Sequence, residues 1–321
     1  MSTAQQTLRP PSLPWYCSAD DLPRPLPTSE EIEAATEEFP SIFDSNARRT
    51  VLVKEIFVVK YGPFVFENEG HALMLLQSQC AHEVPAPHIY AMYRENDKLY
   101  LVMEYVPGTQ LSDLWPSLSE DEKTPIVHQL RHVCDRLRML SSPGHYGGVY
   151  GGPIQHRYFM SVEKDPRITG PFTNEEDVNR ALILRSRGYW ASCGEHGWMN
   201  DFFERHLSTV LSGHASVFTH SDFQRKNIIV QEEPRLATEG DTGTRRFKVA
   251  AVLDWEDAAH LLDASRVVSY IAGPAFQDTF DDLTEATTAS VETFSLFPNK
   301  NYLPMGLDHE YRDALFESID A

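Results

Sequence analysis

The alternation of hydrophobic and polar residues predicts a small sheet with one helix in the first third of the chain. Short runs rich in β-branched and aromatic residues are typical of strands, and apolar residues spaced by three or four are typical of a helix. The predicted order is strand, strand, helix, strand, strand, over residues 51–53, 56–60, 67–80, 88–94 and 98–105. Before it, a proline-rich arm covers residues 1–27, and a helix begins at a capping-box pattern on Thr28 and ends at Pro40.

Beyond Pro107 and Gly108 the pattern becomes mainly helical. Helices are predicted over 126–140, 175–190, 199–212 and 261–272. Strands are predicted over 217–219, 228–230 and 247–253, and a disordered tip over the polar excursion 231–246. A length of 321 residues fits roughly two domains. We therefore expect an α+β chain made of an arm and helix over 1–47, an N-lobe over 48–106 and a C-lobe over 107–321.

Composition and charge exclude several classes of protein. Lys and Arg number 28 against 47 Asp and Glu, a formal net charge of −19, so we expect no nucleic-acid partner, because phosphate binding needs a basic patch. No stretch approaches the roughly 18 apolar residues of a membrane span, and the N-terminus lacks the apolar core of a secretory signal. The four cysteines form no CxxC pair, which argues against a zinc ribbon and predicts a reducing, cytoplasmic compartment.

The segment His220 to Asn227 carries the pattern H-x-D-x-x-x-x-N, and Asp254 follows the predicted strand 247–253. In phosphoryl transfer, one carboxylate accepts the proton of the attacking hydroxyl, while an amide oxygen and a second carboxylate hold Mg²⁺ against the nucleotide phosphates. Asp222 suits the first role, and Asn227 with Asp254 supplies the metal ligands. Glu256 either contacts the metal or caps a following helix.

Two charged residues lie on apolar faces upstream. Lys60 is on the apolar face of its predicted strand, and Glu69, rather than Glu67, is on the apolar stripe of the helix 67–80. A buried charge needs a counter-charge, so the two residues are expected to pair, which would leave Lys60 to hold nucleotide phosphates.

These motifs, taken together over residues 50–270, resemble the aminoglycoside phosphotransferase (APH) family, in particular its fungal branch. The resemblance rests on Val58-Val59-Lys60-Tyr61-Gly62, Glu69-x-x-Ala72-Leu73, Val84-Pro85-x-Pro87, Met103-Glu104-Tyr105-Val106-Pro107-Gly108-x-x-Leu111, His220-x-Asp222-x-x-x-x-Asn227 and Leu253-Asp254-Trp255-Glu256. It implies a bilobal, protein-kinase-like fold, with a small β-rich N-lobe holding one key helix and a larger, mainly helical C-lobe. It also implies transfer of the γ-phosphoryl group of ATP, or of GTP, to a small-molecule hydroxyl with Mg²⁺.

The resemblance further implies a role for each matching residue. Asp222 is the expected catalytic base and His220 the buried organiser of its loop. The expected metal ligands are Asn227 and Asp254, and the expected nucleotide-binding residues are Lys60, Glu69, the gatekeeper Met103 and the hinge Glu104, Tyr105 and Val106. The chain departs from the kinase pattern in having no glycine in the turn before Lys60.

Two other functions stay open at this point. The first is a catalytically silent nucleotide-binding scaffold. The second is a protein kinase, against which Trp255-Glu256 stands where Phe-Gly is expected, and no Ala-Pro-Glu follows. Asp278, Asp282 and Glu285 share a helical spacing and are either a solvated acidic face or part of a pocket that selects an amine-bearing acceptor.

Overall fold

The structure is a computed structural model that describes residues 9–40, 47–192, 198–234 and 245–262. The strands among these residues are β1 Trp15–Tyr16, β2 Arg49–Val53, β3 Phe57–Gly62, β4 Ile89–Glu95, β5 Lys98–Glu104, β6 Thr109–Gln110, β7 Gly147–Gly148, β8 Ser216–Thr219, β9 Ile228–Glu232, β10 Phe247–Val252 and β11 Ala259–Leu262. The α-helices are α1 Ser29–Glu33, α2 Glu67–Cys80, α3 Leu111–Leu114, α4 Glu120–Arg138, α5 Pro166–Thr169, α6 Glu175–Ser192 and α7 Trp198–Val210. Single 3-10 turns cover Ala19–Asp21, Trp115–Ser117, Arg157–Phe159, Arg225–Asn227 and Trp255–Asp257.

The chain divides into two compact units. The first unit comprises Met1–Leu137 and Gln224–Glu256, and the second comprises Arg138–Phe223 and Asp257–Ala321. The expected lobe boundaries at residues 47 and 106 stay a prediction.

The first unit contains an antiparallel sheet in the order β1-β4-β5-β3-β2. The β2–β3 turn at Lys54 and Glu55 and the β4–β5 turn at Asn96 and Asp97 have φ between 48° and 61°. Positive φ at both central residues is the turn geometry that matches the twist of a hairpin. These elements confirm the predicted strand, strand, helix, strand, strand order, whereas β1 was not predicted.

The helix α1 confirms the predicted capping box but is shorter than expected. The Thr28 hydroxyl accepts from the Glu31 N–H at 3.2 Å, and the Glu31 carboxylate accepts from the Thr28 N–H at 2.8 Å. The helix ends at Glu33 rather than near Pro40, because the following residues pair with β2. Glu38 bridges Val51 there, which satisfies backbone groups on the outer edge of the sheet.

Four tyrosines cross one face of this sheet. Tyr16 stacks on Tyr93 at 6.2 Å between ring centroids, Tyr93 on Tyr100 at 5.0 Å, and Tyr100 on Tyr61 at 5.1 Å. Ile32 of α1 belongs to the same hydrophobic cluster and is fully buried. The arm and α1 therefore join the first unit through aromatic and apolar packing.

The helix α2 packs closely on the sheet at Gly70. A Cβ atom at this position would lie 2.6 Å from the Met92 sulfur, so the glycine permits the approach. Glu69, the residue before this glycine, reaches Lys60 of the strand β3. The rest of the first unit holds α3, α4 and a second sheet in the order β10-β9-β6.

The second unit has a three-stranded antiparallel sheet in the order β7-β11-β8, with α5, α6 and α7. The predicted helix 261–272 is wrong at its start, because Leu261 and Leu262 pair with Val217 and Ser216 as strand. All four residues of β11 are buried, His260 among them, and a short buried run of this kind has no periodicity that separates strand from helix. The remainder of 261–272 lies outside the described residues.

The polar excursion 231–246 is partly ordered as a hairpin. Residues 231–232 belong to β9, and the Glu233 N–H donates to the Arg246 carbonyl at 2.9 Å. Arg245 also pairs with the buried Glu122 of α4 at 2.8 Å. The prediction of disorder is therefore wrong for residues 231–234 and 245–246, and residues 235–244 lie outside the described residues.

Candidate functional site

The strand β3 and the helix α2 bring Lys60 and Glu69 together as predicted. Lys60 Nζ donates to Glu69 Oε2 at 2.7 Å, and both side chains are about 5% exposed or less. Glu67 instead pairs with Arg94 at an exposed position. The choice of Glu69 over Glu67 as the partner is therefore confirmed.

Asp254 and Glu256 reach Lys60 from the bend that follows β10. Lys60 Nζ is 2.8 Å from Asp254 Oδ1 and 3.1 Å from Glu256 Oε2. Asp254 has φ of 63°, which turns the chain sharply out of the strand. Between the two acids, the Trp255 ring is fully buried and its N–H donates to the Val252 carbonyl at 2.8 Å. This anchor fixes both carboxylates on the same side of the bend.

The three carboxylates in this cluster outweigh the positive charge of Lys60. Burial acts to lower the pKa of Lys60, but the carboxylates of Glu256, Glu69 and Asp254 outweigh it, so the pKa is raised above its ordinary value. Burial also raises the pKa of Glu69, and the repulsion of Asp254 and Glu256 adds to that effect against the attraction of Lys60. Both groups therefore hold their protons more tightly than usual, which is the response of a site that attracts a further cation.

The donor set of this cluster fits Mg²⁺. Carboxylate oxygens of Glu69, Asp254 and Glu256 lie within 4.8 Å of one another, and magnesium prefers hard oxygen ligands. Asn227 is buried at the end of a 3-10 turn, and its carbonyl accepts from the Leu253 N–H at 2.7 Å. That bond joins the segments that carry the two predicted metal ligands. Glu256 does not cap a helix, because the strand β11 follows it.

Arg48 is a site residue that the sequence analysis missed. It precedes β2 in a polar stretch, where the hydrophobic pattern gives no signal for a buried arginine. Its Nη1 is 2.5 Å from Glu256 Oε2, its Nη2 is 3.8 Å from Asp254 Oδ1, and its side chain is only 11% exposed. The site therefore contains two cations and three carboxylates.

The predicted hinge begins at the last residue of β5. Met103 is buried, and the Glu104 N–H donates to the His88 carbonyl at 2.8 Å. The Tyr105 N–H donates to the Ile56 carbonyl at 2.7 Å. Val106 is half-buried and lies beyond the end of the strand. Two of the three hinge N–H groups are thus engaged within the first unit.

His220 and Asp222 belong to the second unit. The His220 imidazole is 2% exposed, and its Nδ1 accepts from the Asp222 N–H at 3.2 Å. An accepting Nδ1 carries no proton, so the ring stands in the tautomer that has its proton on Nε2. Ser221 between them has φ of 66°, and Asp222 is half-buried. This local geometry agrees with a histidine that shapes the loop.

Two other expectations from the sequence concern the acidic residues after 277 and the crossing of a membrane. Asp278, Asp282 and Glu285 lie outside the described residues. In the part of the chain that the structure describes, no helix has the length and apolar character needed to cross a membrane.

Comparison with known proteins completes the description of the site. Residues 44–282 match the profile of APH, described as the phosphotransferase enzyme family. A thermostable mutant of aminoglycoside phosphotransferase APH(4)-Ia, solved in apo form, matches with a TM-score of 0.54 at 13% sequence identity, over 91% of this chain and 92% of that chain. This likeness shows a shared, protein-kinase-like fold. No curated protein sequence matches the chain.

Complexes of aminoglycoside phosphotransferases give lower scores. A ternary complex of APH(4)-Ia with AMP-PNP and hygromycin B has a TM-score of 0.46 at 15% identity, over 72% of this chain and 70% of that chain. The streptomycin–ATP complex of APH(2")-IIa has a TM-score of 0.41 at 16% identity, over 71% of this chain and 68% of that chain.

Proposed function

Because the chain belongs to the APH family of phosphotransferase enzymes, we propose that it transfers the γ-phosphoryl group of ATP to a hydroxyl of a small molecule, with Mg²⁺. The observation that carries the proposal is the convergence of Lys60, Glu69 and Asp254 in one buried cluster. Lys60 is thereby fixed on the sheet with its charge intact, which is the state needed to bind nucleotide phosphates.

Each residue has a separate task in this reaction. Asp254 and Asn227 would hold Mg²⁺, with Glu256 as a further carboxylate, and the metal would neutralise charge on the phosphates. Asp222 would orient the acceptor hydroxyl and take its proton, and His220 would hold the backbone of that loop. The Val106 N–H is the hinge donor that we assign to the adenine ring, since the N–H groups of Glu104 and Tyr105 are engaged elsewhere.

The intact set of charged residues supports catalysis over a silent scaffold. A protein that only binds nucleotide has no reason to keep the proton acceptor Asp222 together with Lys60, Asn227 and Asp254, because proton transfer belongs to turnover and not to binding. The absence of glycine in the β2–β3 turn is the feature that favours the scaffold. Turnover therefore has to be measured as well as binding.

The test compares two variants that separate binding from turnover. Asp222→Asn should bind ADP and Mg²⁺ like the wild type in calorimetry but lose roughly 10²-fold or more in turnover, since proton acceptance is removed. Asp254→Asn should lose both the binding of ADP with Mg²⁺ and turnover, because it removes a metal ligand. Asp121→Asn, on the exposed start of α4, is the matched control. Unchanged turnover in Asp254→Asn would refute the assignment, and binding without any turnover would favour the scaffold.

The acceptor is best sought with a panel of alcohols. We propose a small hydroxylated compound, and an amine-bearing alcohol is the first class to test against matched neutral alcohols. A cationic acceptor should lose apparent affinity as salt is raised, because screening weakens its attraction to a protein of charge −19. Equal use of neutral and cationic alcohols would remove the amine from the proposal. Turnover of the same panel with GTP in place of ATP shows which nucleotide is the phosphoryl donor.

A further inference from the structure

The segment that follows the hinge packs against the 3-10 turn that carries Asn227. The strand β6 pairs antiparallel with β9, so that Gln110 lies opposite Ile229. The Gln110 side-chain amide donates to the Lys226 carbonyl at 3.0 Å, one residue before Asn227. All of these residues belong to the first unit. A few residues of chain and one strand pair therefore join the hinge to a predicted metal ligand.

A glycine allows the two segments to come this close. Gly108 has φ of 152°, and a Cβ there would lie 2.5 Å from Ile229 Cγ2 and 2.7 Å from the Val230 carbonyl oxygen. Both distances are too short for any side chain, so the position requires glycine. The Gln231 side-chain amide also donates to the Pro107 carbonyl at 2.7 Å. The chain is thus held against β9 directly after the hinge.

Trp115 gives the same turn a second contact. It follows α3 and begins the 3-10 turn Trp115–Ser117, and it is only 9% exposed. The Arg225 guanidinium carbon lies 5.3 Å from the centroid of the Trp115 ring. A guanidinium over an indole ring at this distance is attracted to the negative face of the ring. Because Arg225 is the first residue of the turn Arg225–Asn227, the contact acts on the turn that carries Asn227.

The backbone of Asn227 connects the turn to the second predicted metal ligand. The Asn227 N–H donates to the Gln224 carbonyl at 2.9 Å, and the Asn227 carbonyl accepts from the Leu253 N–H at 2.7 Å. Leu253 directly precedes Asp254. A shift of the turn therefore changes the position of Asn227 relative to Asp254.

We propose that Trp115 and Gln110 are positioning residues, which hold the turn 225–227 so that Asn227 and Asp254 can bind one Mg²⁺ together. The proposal rests on the proposed function, because it takes these two residues as the metal ligands. Magnesium demands near-octahedral geometry, so its affinity should depend on how firmly the turn is held. A contact that only stabilised the fold would leave the metal affinity of the folded protein unchanged.

The first measurement needs neither metal nor nucleotide. Hydrogen exchange of the Asn227 and Leu253 N–H groups, followed by NMR, reports how often the turn opens, with the amides of β5 as the reference for global unfolding. Trp115→Leu should speed the exchange of both N–H groups by roughly two- to fivefold relative to β5, the range of one cation–π contact. Trp115→Phe keeps an aromatic ring and should restore most of the protection.

Lys123→Met is the matched control. Lys123 Nζ lies 5.3 Å from the centroid of the same Trp115 ring, but Lys123 belongs to α4 and not to the turn. Its substitution removes a cation–π contact at the same distance and should leave exchange in the turn unchanged. Arg225→Met should act like Trp115→Leu. The double variant should exchange no faster than the faster single variant, because both substitutions remove the same contact.

The second measurement is Mn²⁺ binding in the presence of ADP, by electron paramagnetic resonance. Trp115→Leu and Gln110→Leu should each weaken Mn²⁺ binding about tenfold, the effect of losing a residue that orients a metal ligand. Trp115→Phe and Lys123→Met should bind Mn²⁺ like the wild type. Asp254→Asn reports Mn²⁺ bound elsewhere on the acidic surface.

Each outcome decides the proposal. Faster exchange in the turn together with weaker Mn²⁺ binding in Trp115→Leu, both restored in Trp115→Phe, supports it. Exchange that changes no more in the turn than in β5, or an unchanged Mn²⁺ affinity, overturns it. If Trp115→Leu does not fold, Gln110→Leu, at an exposed position, decides by the same two measurements. A wild type that binds no Mn²⁺ with ADP would refute the proposed function and the metal role of Asn227, while the exchange comparison would still decide whether Trp115 holds the turn.

Discussion

Replacing Lys60 by methionine removes the inner cation of the cluster while keeping a side chain of similar length. Glu69 is then left buried without the lysine that donates to it at 2.7 Å. Asp254 and Glu256 still face Arg48, at 3.8 and 2.5 Å. The loss of stability should therefore come mainly from Glu69, measured without metal or nucleotide.

The size of this loss is bounded by the cost of protonating Glu69. Its ordinary pKa is 4.5, so at about pH 7 protonation costs about 3.4 kcal/mol, at roughly 1.4 kcal/mol per pH unit. By protonating Glu69, the variant avoids an unpaired buried charge. Replacing a buried ion pair by uncharged groups otherwise changes the free energy of unfolding little. We expect a loss of about 3 kcal/mol in the free energy of unfolding, within the range of about 3–5 kcal/mol for a broken buried pair.

The pH dependence gives the prediction its sign. Loss of Lys60 raises the folded-state pKa of Glu69 further above its unfolded value, so stability is kept at low pH and lost as pH rises through the folded-state pKa. The difference between wild type and variant should shrink to about 1.4 kcal/mol near pH 5.5. Urea unfolding followed by tryptophan fluorescence and circular dichroism measures both values.

The control is the double variant Lys60→Met/Glu69→Gln, which removes both charges. It should recover most of the stability that Lys60→Met loses, because no buried charge is left unpaired. A Lys60→Met protein as stable as the wild type near pH 7, or a double variant less stable than the single one, would refute the reasoning that Glu69 carries the cost.

Three further predictions concern residues outside the cluster. The Arg245 hydrogen bond lowers the pKa of Glu122 to about 2. Arg245→Met should therefore reduce stability above about pH 4.5, and the difference in stability from the wild type should vanish as pH falls to about 2. A difference in urea unfolding that does not change with pH contradicts this. Gly62→Ala should lose more than about 1 kcal/mol in the free energy of unfolding, because its φ and its neighbours exclude a Cβ. Gly188→Ala, in open space on α6, should instead gain about 0.5–1 kcal/mol in the free energy of unfolding. Burial and a neighbouring imidazole lower the pKa of His260 to about 4. The wild type should therefore lose stability as pH falls from about 6.5 to about 4, and His260→Leu should reduce that loss. An unchanged dependence of stability on pH in His260→Leu contradicts this prediction.

The sequence predicts the local elements of the site because its residues break strong patterns. A lysine on an apolar strand and a glutamate on an apolar helical stripe each required a partner, and Lys60 and Glu69 meet as that argument predicts. The hairpin turns and the capping box of α1 are equally local, since each depends on a few neighbouring residues.

Long-range contacts could not be predicted in the same way. Arg48 reaches Glu256 across more than 200 residues of chain, in a stretch without hydrophobic periodicity. β1 has only two residues and depends on β4 for every hydrogen bond it makes as a strand. β11 is buried on both faces, so its four residues show no alternation of buried and exposed positions, and tertiary pairing decided between strand and helix.

Two segments that precede β2 in the chain close both edges of the main sheet. β1 pairs with β4 on one side, where Trp15 lies opposite Met92, and Glu38 bridges Val51 of β2 on the other. An open strand edge is a template for pairing with another chain. During synthesis β1 is made before β4 and Glu38 before Val51, so each edge emerges after the segment that covers it. The interval in which an open edge of the nascent sheet could pair with another chain is thereby short.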